Sequence, residues 1–382
     1  MAGASWNGRS NLIVPKMAHI GRKLLVGCYR AWNSALADLP DVRRGFERDS
    51  VHQDVCSGPG EVANFRQGAS GGVRWGEGGF GALVGPTTTF PDINVLYNAG
   101  VALRALHAED DGLICPEVGG WAENKYRLLA LYDKLFSTGM KNKWDQRVYI
   151  DLYAGAGYSR IQGTKTVLMG SPIIALTLPD PFDKYIFCEE RPELMAGLKA
   201  RVERVAPTAG VTFVPGSCDS EIDRICAAIP KGSSGNKTLS LCLVDPFDFG
   251  MKFETLRRLS AVFIDFVVLL AIGMDANRNY DHYVDGHSTK IDEALGNTEW
   301  RERWKAVGVR RSDFRPFLAS EFSISMASLG YLQKPLDRMK LVRSVDKNLP
   351  LYYLALFSRN EMAFKFWDDV LRYSTDQTNL WD

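Results

Sequence analysis

The sequence predicts a doubly wound α/β fold, a parallel sheet covered by helices on both faces, and three observations carry that expectation. Between Arg147 and Ile272, short strands that are apolar throughout alternate with helical segments, as strands buried on both faces must. Four successive strand ends carry acidic residues, which lines up polar groups along one rim of the sheet. The chain has 382 residues, 46% hydrophobic and 24% charged, enough for two or three units with a large core.

Residues 1–112 read as a poorly ordered extension, because 51–90 alone hold ten glycines and no sustained period, too little apolar surface to offset the ordering entropy. A short helix at Arg22–Leu36 is the one element expected there. Gly76, Gly78, Gly79 and Gly81 lack both a preceding strand and a following Gly-Lys-Ser/Thr, so they do not make a phosphate loop. From Asn124 to Thr138 apolar residues fall on one helical stripe. A strand at Arg147–Leu152 then runs into Ala154-Gly155-Ala156-Gly157. Ser171 as N-cap with Pro172 behind it opens the next helix.

Strands follow at Lys184–Cys188, Val211–Val214, Leu239–Val244 and Val262–Ile272, separated by helices at Pro192–Val205, Ser220–Ile229 and Phe253–Leu259. Residues 113–274 make the core in this reading. The polar, helical 275–338 forms an insertion after the fifth strand, and 339–382 completes the core with a strand pair and a helix at Ala363–Tyr373. Residues 300–347 hold eleven Lys/Arg against five Asp/Glu, the one basic concentration in the chain.

Composition narrows the function. With 46 Lys+Arg and 45 Asp+Glu the formal charge is +1, so no global field draws the protein to nucleic acid or anionic lipid. Seven scattered cysteines without a CxxC argue against a disulfide framework, and five histidines give no metal-ligand spacing. The apolar run Val262–Met274 is interrupted by Asp265 and falls short of the ~20 residues a bilayer span needs. No signal peptide is read, and a soluble cytoplasmic protein is expected.

The rim acids are Asp151 before the Gly155/Gly157 turn, Glu189 or Glu190 after the second strand, Asp219 after the third, and Asp245 in Asp245-Pro246-Phe247 after the fourth. Any one of them alone is an ordinary turn or helix cap. Together they suit a ligand whose backbone approach needs glycine and whose ribose hydroxyls need an acid. A nicotinamide dinucleotide fits poorly: the third glycine of GxGxxG is absent, and Glu189 lies 32 residues past Gly157 where about 20 are expected.

The pattern resembles the class I methyltransferases, which implies a Rossmann-like methyltransferase sheet and S-adenosyl-L-methionine as cofactor. By that resemblance Asp151, Gly155 and Gly157 match the first motif, Glu189 the ribose acid and Asp219 the adenine contact. Trp121-Ala122-Glu123-Asn124-Lys125-Tyr126 resembles a segment preceding the glycine motif in adenine-amino methyltransferases, implying that Trp121 and Lys125 hold the methionine end; an amphipathic helix with a packed Trp is the plainer reading. Asp245-Pro246-Phe247 resembles the D-P-P-Y signature of amino methyltransferases without its second proline, closer to the D-P-F of transfer-RNA guanine dimethylating enzymes. Asp245, Pro246 and Phe247 are then the catalytic candidates; a strand end is the plainer alternative.

The chain from Gly120 onward also resembles the bacterial three-Cys-motif partner proteins, on Tyr149–Gly157, Gly170-Ser171-Pro172, Val244–Phe247, Gly273–Asn279, Leu295-Gly296-Asn297 and Leu351–Ser358. This implies as a possible partner a radical-enzyme-like protein with three cysteines. Asp275 and Arg278 follow the fifth strand and are candidates for substrate contact, or else a pair capping the inserted helices. The leading expectation is a methyltransferase acting on an exocyclic amine of a nucleic-acid base. A non-catalytic scaffold for the three-Cys protein and a DNA-contacting protein of a mobile element are the alternatives.

Overall fold

The computed structural model describes residues 106–307, 310–344 and 348–376, the side chains of 274, 275, 277 and 373–376 excepted. The helix expected at Arg22–Leu36 and most of the expected extension lie outside these residues. The described fold begins at Leu106, with strands β1 (His107–Ala108) and β2 (Glu117–Val118), so 106–112 belong to folded structure and not to the extension. Asp111 is the reason: both its oxygens accept from the buried Arg201 guanidinium, at 2.9 and 2.7 Å.

Helix α1 (Trp121–Met140) leads into β3 (Gln146–Asp151). A hairpin, β4 (Tyr158–Ile161) and β5 (Val167–Met169), joins β1 and β2 in a small sheet ordered β1-β5-β4-β2. That sheet was not anticipated, since strands of two to four residues are too short to show a period. Then come α2 (Ser171–Leu176), β6 (Lys184–Glu189), α3 (Pro192–Val205), β7 (Val211–Pro215), α4 (Ile222–Ala228), β8 (Thr238–Val244), α5 (Phe253–Leu259) and β9 (Ile264–Leu270). Helices α6 (Ile272–Arg278), α7 (Tyr280–Val284), α8 (Lys290–Leu295), α9 (Trp300–Val307) and α10 (Phe314–Ser328) precede β10 (Lys340–Arg343), β11 (Pro350–Phe357) and α11 (Glu361–Asp376). The seven-stranded sheet runs β10-β11-β9-β8-β3-β6-β7. Its five central and outer strands from β9 to β7 are parallel, and β11 enters antiparallel to β9. This is the doubly wound α/β fold that the alternation predicts.

Register decides which residues share a face. Asp151 pairs with Leu243, Leu243 with Val267 and Val267 with Leu356, so these four point the same way. Counting in twos toward the carboxyl ends of the parallel strands, Asp245 and Tyr352 follow on that face. Helices α1 and α11 cover it, with the Tyr132 and Trp367 rings meeting edge-on at 5.3 Å. The opposite face carries Ile150, Cys242, Phe266 and Phe357, and here the inserted helices pack: Trp300, Phe314 and Phe322 are buried in one cluster with them. Burying each such ring contributes roughly 1.5–3 kcal/mol relative to leaving it in water. The insertion is therefore a layer of the core. At its root, a Cβ on Gly273 would overlap the carbonyl oxygens of Pro350 and Leu351.

Candidate functional site

The rim beyond β3, β6 and β8 gathers the polar residues that the sequence singles out. Asp151 is fully buried at the end of β3. Ser171 donates to its Oδ2 at 2.7 Å and the Tyr153 amide donates to its Oδ1 at 3.1 Å. Burial dominates these bonds and pushes the carboxyl up to about 7. Ser171 was expected as an N-cap; the cap position is Gly170, and the Ser171 hydroxyl turns to the carboxylate instead.

The glycine turn has two different glycines. Gly157, at φ +83°, is a packing residue, because a Cβ there would come within 3.0 Å of Leu198 and 3.1 Å of Ile173. Gly155, at φ +63°, has nothing within 4 Å of where its Cβ would stand; its open side is the approach a ligand would use. The amide of Gly155 donates to Glu189 Oε2 and that of Arg191 to Oε1, both at 2.8 Å. Glu189 is thus buried against the turn, whereas Glu190 faces solvent, which separates the two acids left open by the sequence. Arg201, missed by sequence reasoning, donates to Ala156 O at 2.7 Å and to Ile114 O at 2.9 Å, holding the turn from beneath. Its partners lie 45 and 87 residues away, a separation no local motif reports.

Asp219, half-buried, accepts a bond from the Thr255 hydroxyl, so it is tied to α5 on the other face of the sheet. The structure brings Lys125 and Asp245 together at 2.5 Å, with side chains 6% and 15% exposed. The nearby anions of Asp245 and, farther off, Asp151 overcome burial and hold the Lys125 ammonium charged, its titration pushed up. The ammonium also lies 4.6 Å from the Tyr126 ring centre and 5.4 Å from that of Trp121. Pro246 is buried and the Phe247 ring stands fully exposed beside it. Trp121 in turn meets Tyr352, another residue not foreseen, edge-on at 5.2 Å.

Asp275 is placed in α6, but its side chain lies outside the described ones, and Arg278 is exposed at the end of that helix. The basic segment is largely self-neutralised. Arg301 pairs with Asp292, Arg303 with Glu321, Lys305 with Glu302, Arg311 with Asp281, Lys334 with Glu361 and Arg338 with Asp368. Four of these acids lie outside 300–347, which is why the local count overstated the charge. No helix among the described residues is long and apolar enough to cross a membrane.

No family model and no curated protein matches the chain. Among solved structures, it is similar to TYW2 of M. jannaschii in complex with AdoMet, at 10% identity over 66% of this chain and 86% of that one, TM-score 0.32. It is also similar to an O-methyltransferase from Bacillus cereus in complex with SAH, at 10% identity over 72% and 93%, TM-score 0.34. Trm1 from Pyrococcus horikoshii with S-adenosyl-L-methionine aligns at 10% identity over 69% of this chain and 64% of its own length, TM-score 0.34. What the rim does follows from its own residues.

Proposed function

We propose that the protein is an S-adenosyl-L-methionine-dependent methyltransferase acting on an exocyclic amine of a nucleic-acid base. The observation that carries this is the division of one rim into two halves, Asp151, Gly155 and Glu189 on one side and the Lys125–Asp245 pair on the other. The first half fits the cofactor. Gly155 leaves room at the backbone, Glu189 has acceptor capacity left for ribose hydroxyls, and the buried Asp151 carboxylate suits a cationic amino group. Asp219 is the candidate for the adenine amine and Lys125, with Trp121, for the methionine end. When bound, the cofactor supplies a methyl group on a positively charged sulfur.

Lys125 and Asp245 then act on the acceptor. An exocyclic amine is a poor nucleophile because its lone pair is conjugated with the ring. Lys125 occupies Asp245 Oδ2, which fixes the carboxylate, and Oδ1 can accept an amine N–H. The Pro246 carbonyl is the second acceptor in the resembled signature, and together the two bonds localise the lone pair. The exposed Phe247 ring offers a face for base stacking. Arg278 and Asp275 remain candidates for contacts farther along the substrate.

Transfer from methyl-labelled cofactor to cellular RNA or DNA tests this. Label appearing in an N-methylated base, and lost in Asp245→Asn with cofactor binding intact, is the expected result. A well-folded protein that binds cofactor but labels no nucleic acid overturns the acceptor assignment, and it makes the partner protein with three cysteines the next acceptor or docking target to assay.

A further inference from the structure

We infer that Tyr352, at the start of β11, is the residue that orients the acceptor, its hydroxyl donating to the ring atom beside the exocyclic amine. This rests on the reading of the rim as a methyl-transfer site. The phenol oxygen is buried and has no hydrogen-bond partner among the described residues, a condition that costs about 1–3 kcal/mol. Register places Tyr352 on the same sheet face as Asp151 and Asp245 and beyond the end of β9, since Tyr353 already pairs with Leu270, the last residue of that strand. Burial first, and then the negative charge of nearby Asp245, push the phenol up, so it stays a protonated donor.

Donor and acceptor thus lie on one face of the rim, Asp245 at the end of β8 and Tyr352 on β11, with β9 between their strands. Asp245 accepts an N–H, Tyr352 offers an O–H, and Trp121 closes the space with its ring against Tyr352. The edge that complements this pair is an amino group adjacent to a ring acceptor atom, as in adenine, cytosine and guanine. Uracil offers at the same edge a carbonyl oxygen and a ring N–H, the reverse pattern. The Trp121 ring lies over Gly119, where a Cβ would collide with it.

The test is calorimetry on the full chain, wild type and Tyr352→Phe, first with S-adenosylhomocysteine and then, at saturation, with the 5′-monophosphates of adenosine, cytidine, guanosine and uridine. Equal S-adenosylhomocysteine binding by both proteins, an amine-bearing nucleotide preferred over the uridine one, and an affinity loss of about 3- to 10-fold in Tyr352→Phe support the inference. Intact S-adenosylhomocysteine binding with no nucleotide preference, or with a preference unchanged in Tyr352→Phe, overturns the role of Tyr352 alone. Failure of wild type to bind S-adenosylhomocysteine overturns the rim reading and the inference with it. Because the substitution removes an unpartnered hydroxyl, its melting temperature should equal or exceed wild type; a fall shows an internal partner and also overturns the assignment.

Discussion

Two ionisable groups at the rim have opposite fates because one has a counter-charge in direct contact and the other has only a distant one. Lys125 and Asp245 neutralise each other out of water, so removing one partner strands a buried charge. Lys125→Met should cost about 3–5 kcal/mol in chemical denaturation, and adding Asp245→Leu should recover most of it. A double variant as unstable as the single one would show that the pair is not what Lys125 contributes. Asp151 and Asp265 have weaker compensation, and burial pushes both carboxyls up to about 7 from the ordinary 3.8. Between those values the native state keeps protons that the unfolded chain has released. Stability should therefore fall as pH rises from about 4 to about 7. Asp151→Asn should flatten part of that slope in pH-dependent melting, and an unchanged slope would contradict the assigned burial effect. Asp151 and Glu189 were legible in the sequence as strand-end acids. Arg201 was not, and Ser171 and Tyr352 stood in the sequence only as an N-cap and a motif position, because the contacts of all three run across the fold where no local spacing encodes them.

At the scale of elements, the strands were readable because burial on both faces leaves them apolar throughout, and their order follows from the parallel pairings. The small β1-β5-β4-β2 sheet was hidden by strand length. The glycine turn was read as a single motif, whereas its two glycines do different work. Gly157→Ala meets Leu198 and Ile173 in a left-handed conformation and should lower the melting temperature substantially. Gly155→Ala is strained by the same sign of φ but meets no neighbour, so it should fold with a smaller loss while binding of S-adenosylmethionine drops sharply. If Gly155→Ala binds as wild type does, the open side of that turn is not the cofactor approach.

At the scale of the whole described fold, the inserted helices share one hydrophobic cluster with the sheet, and their cations are mostly spent on acids of the same fold. Of eleven basic residues in 300–347, at least six are in ion pairs among the described residues. A nucleic-acid footprint on this segment has at most the other five to draw on, so the slope of log affinity against log salt should be no steeper than about −4.5. A steeper slope would place the electrostatic contact elsewhere. The central claim concerns the other half of the rim, and titration of S-adenosylmethionine into the full chain by calorimetry tests it most directly, with Asp151→Asn and Glu189→Gln as controls. Binding in the micromolar range that both substitutions weaken, with release of protons on binding at pH 6 to 7 as Asp151 ionises, is the expected result; a folded protein that takes up no S-adenosylmethionine would contradict it.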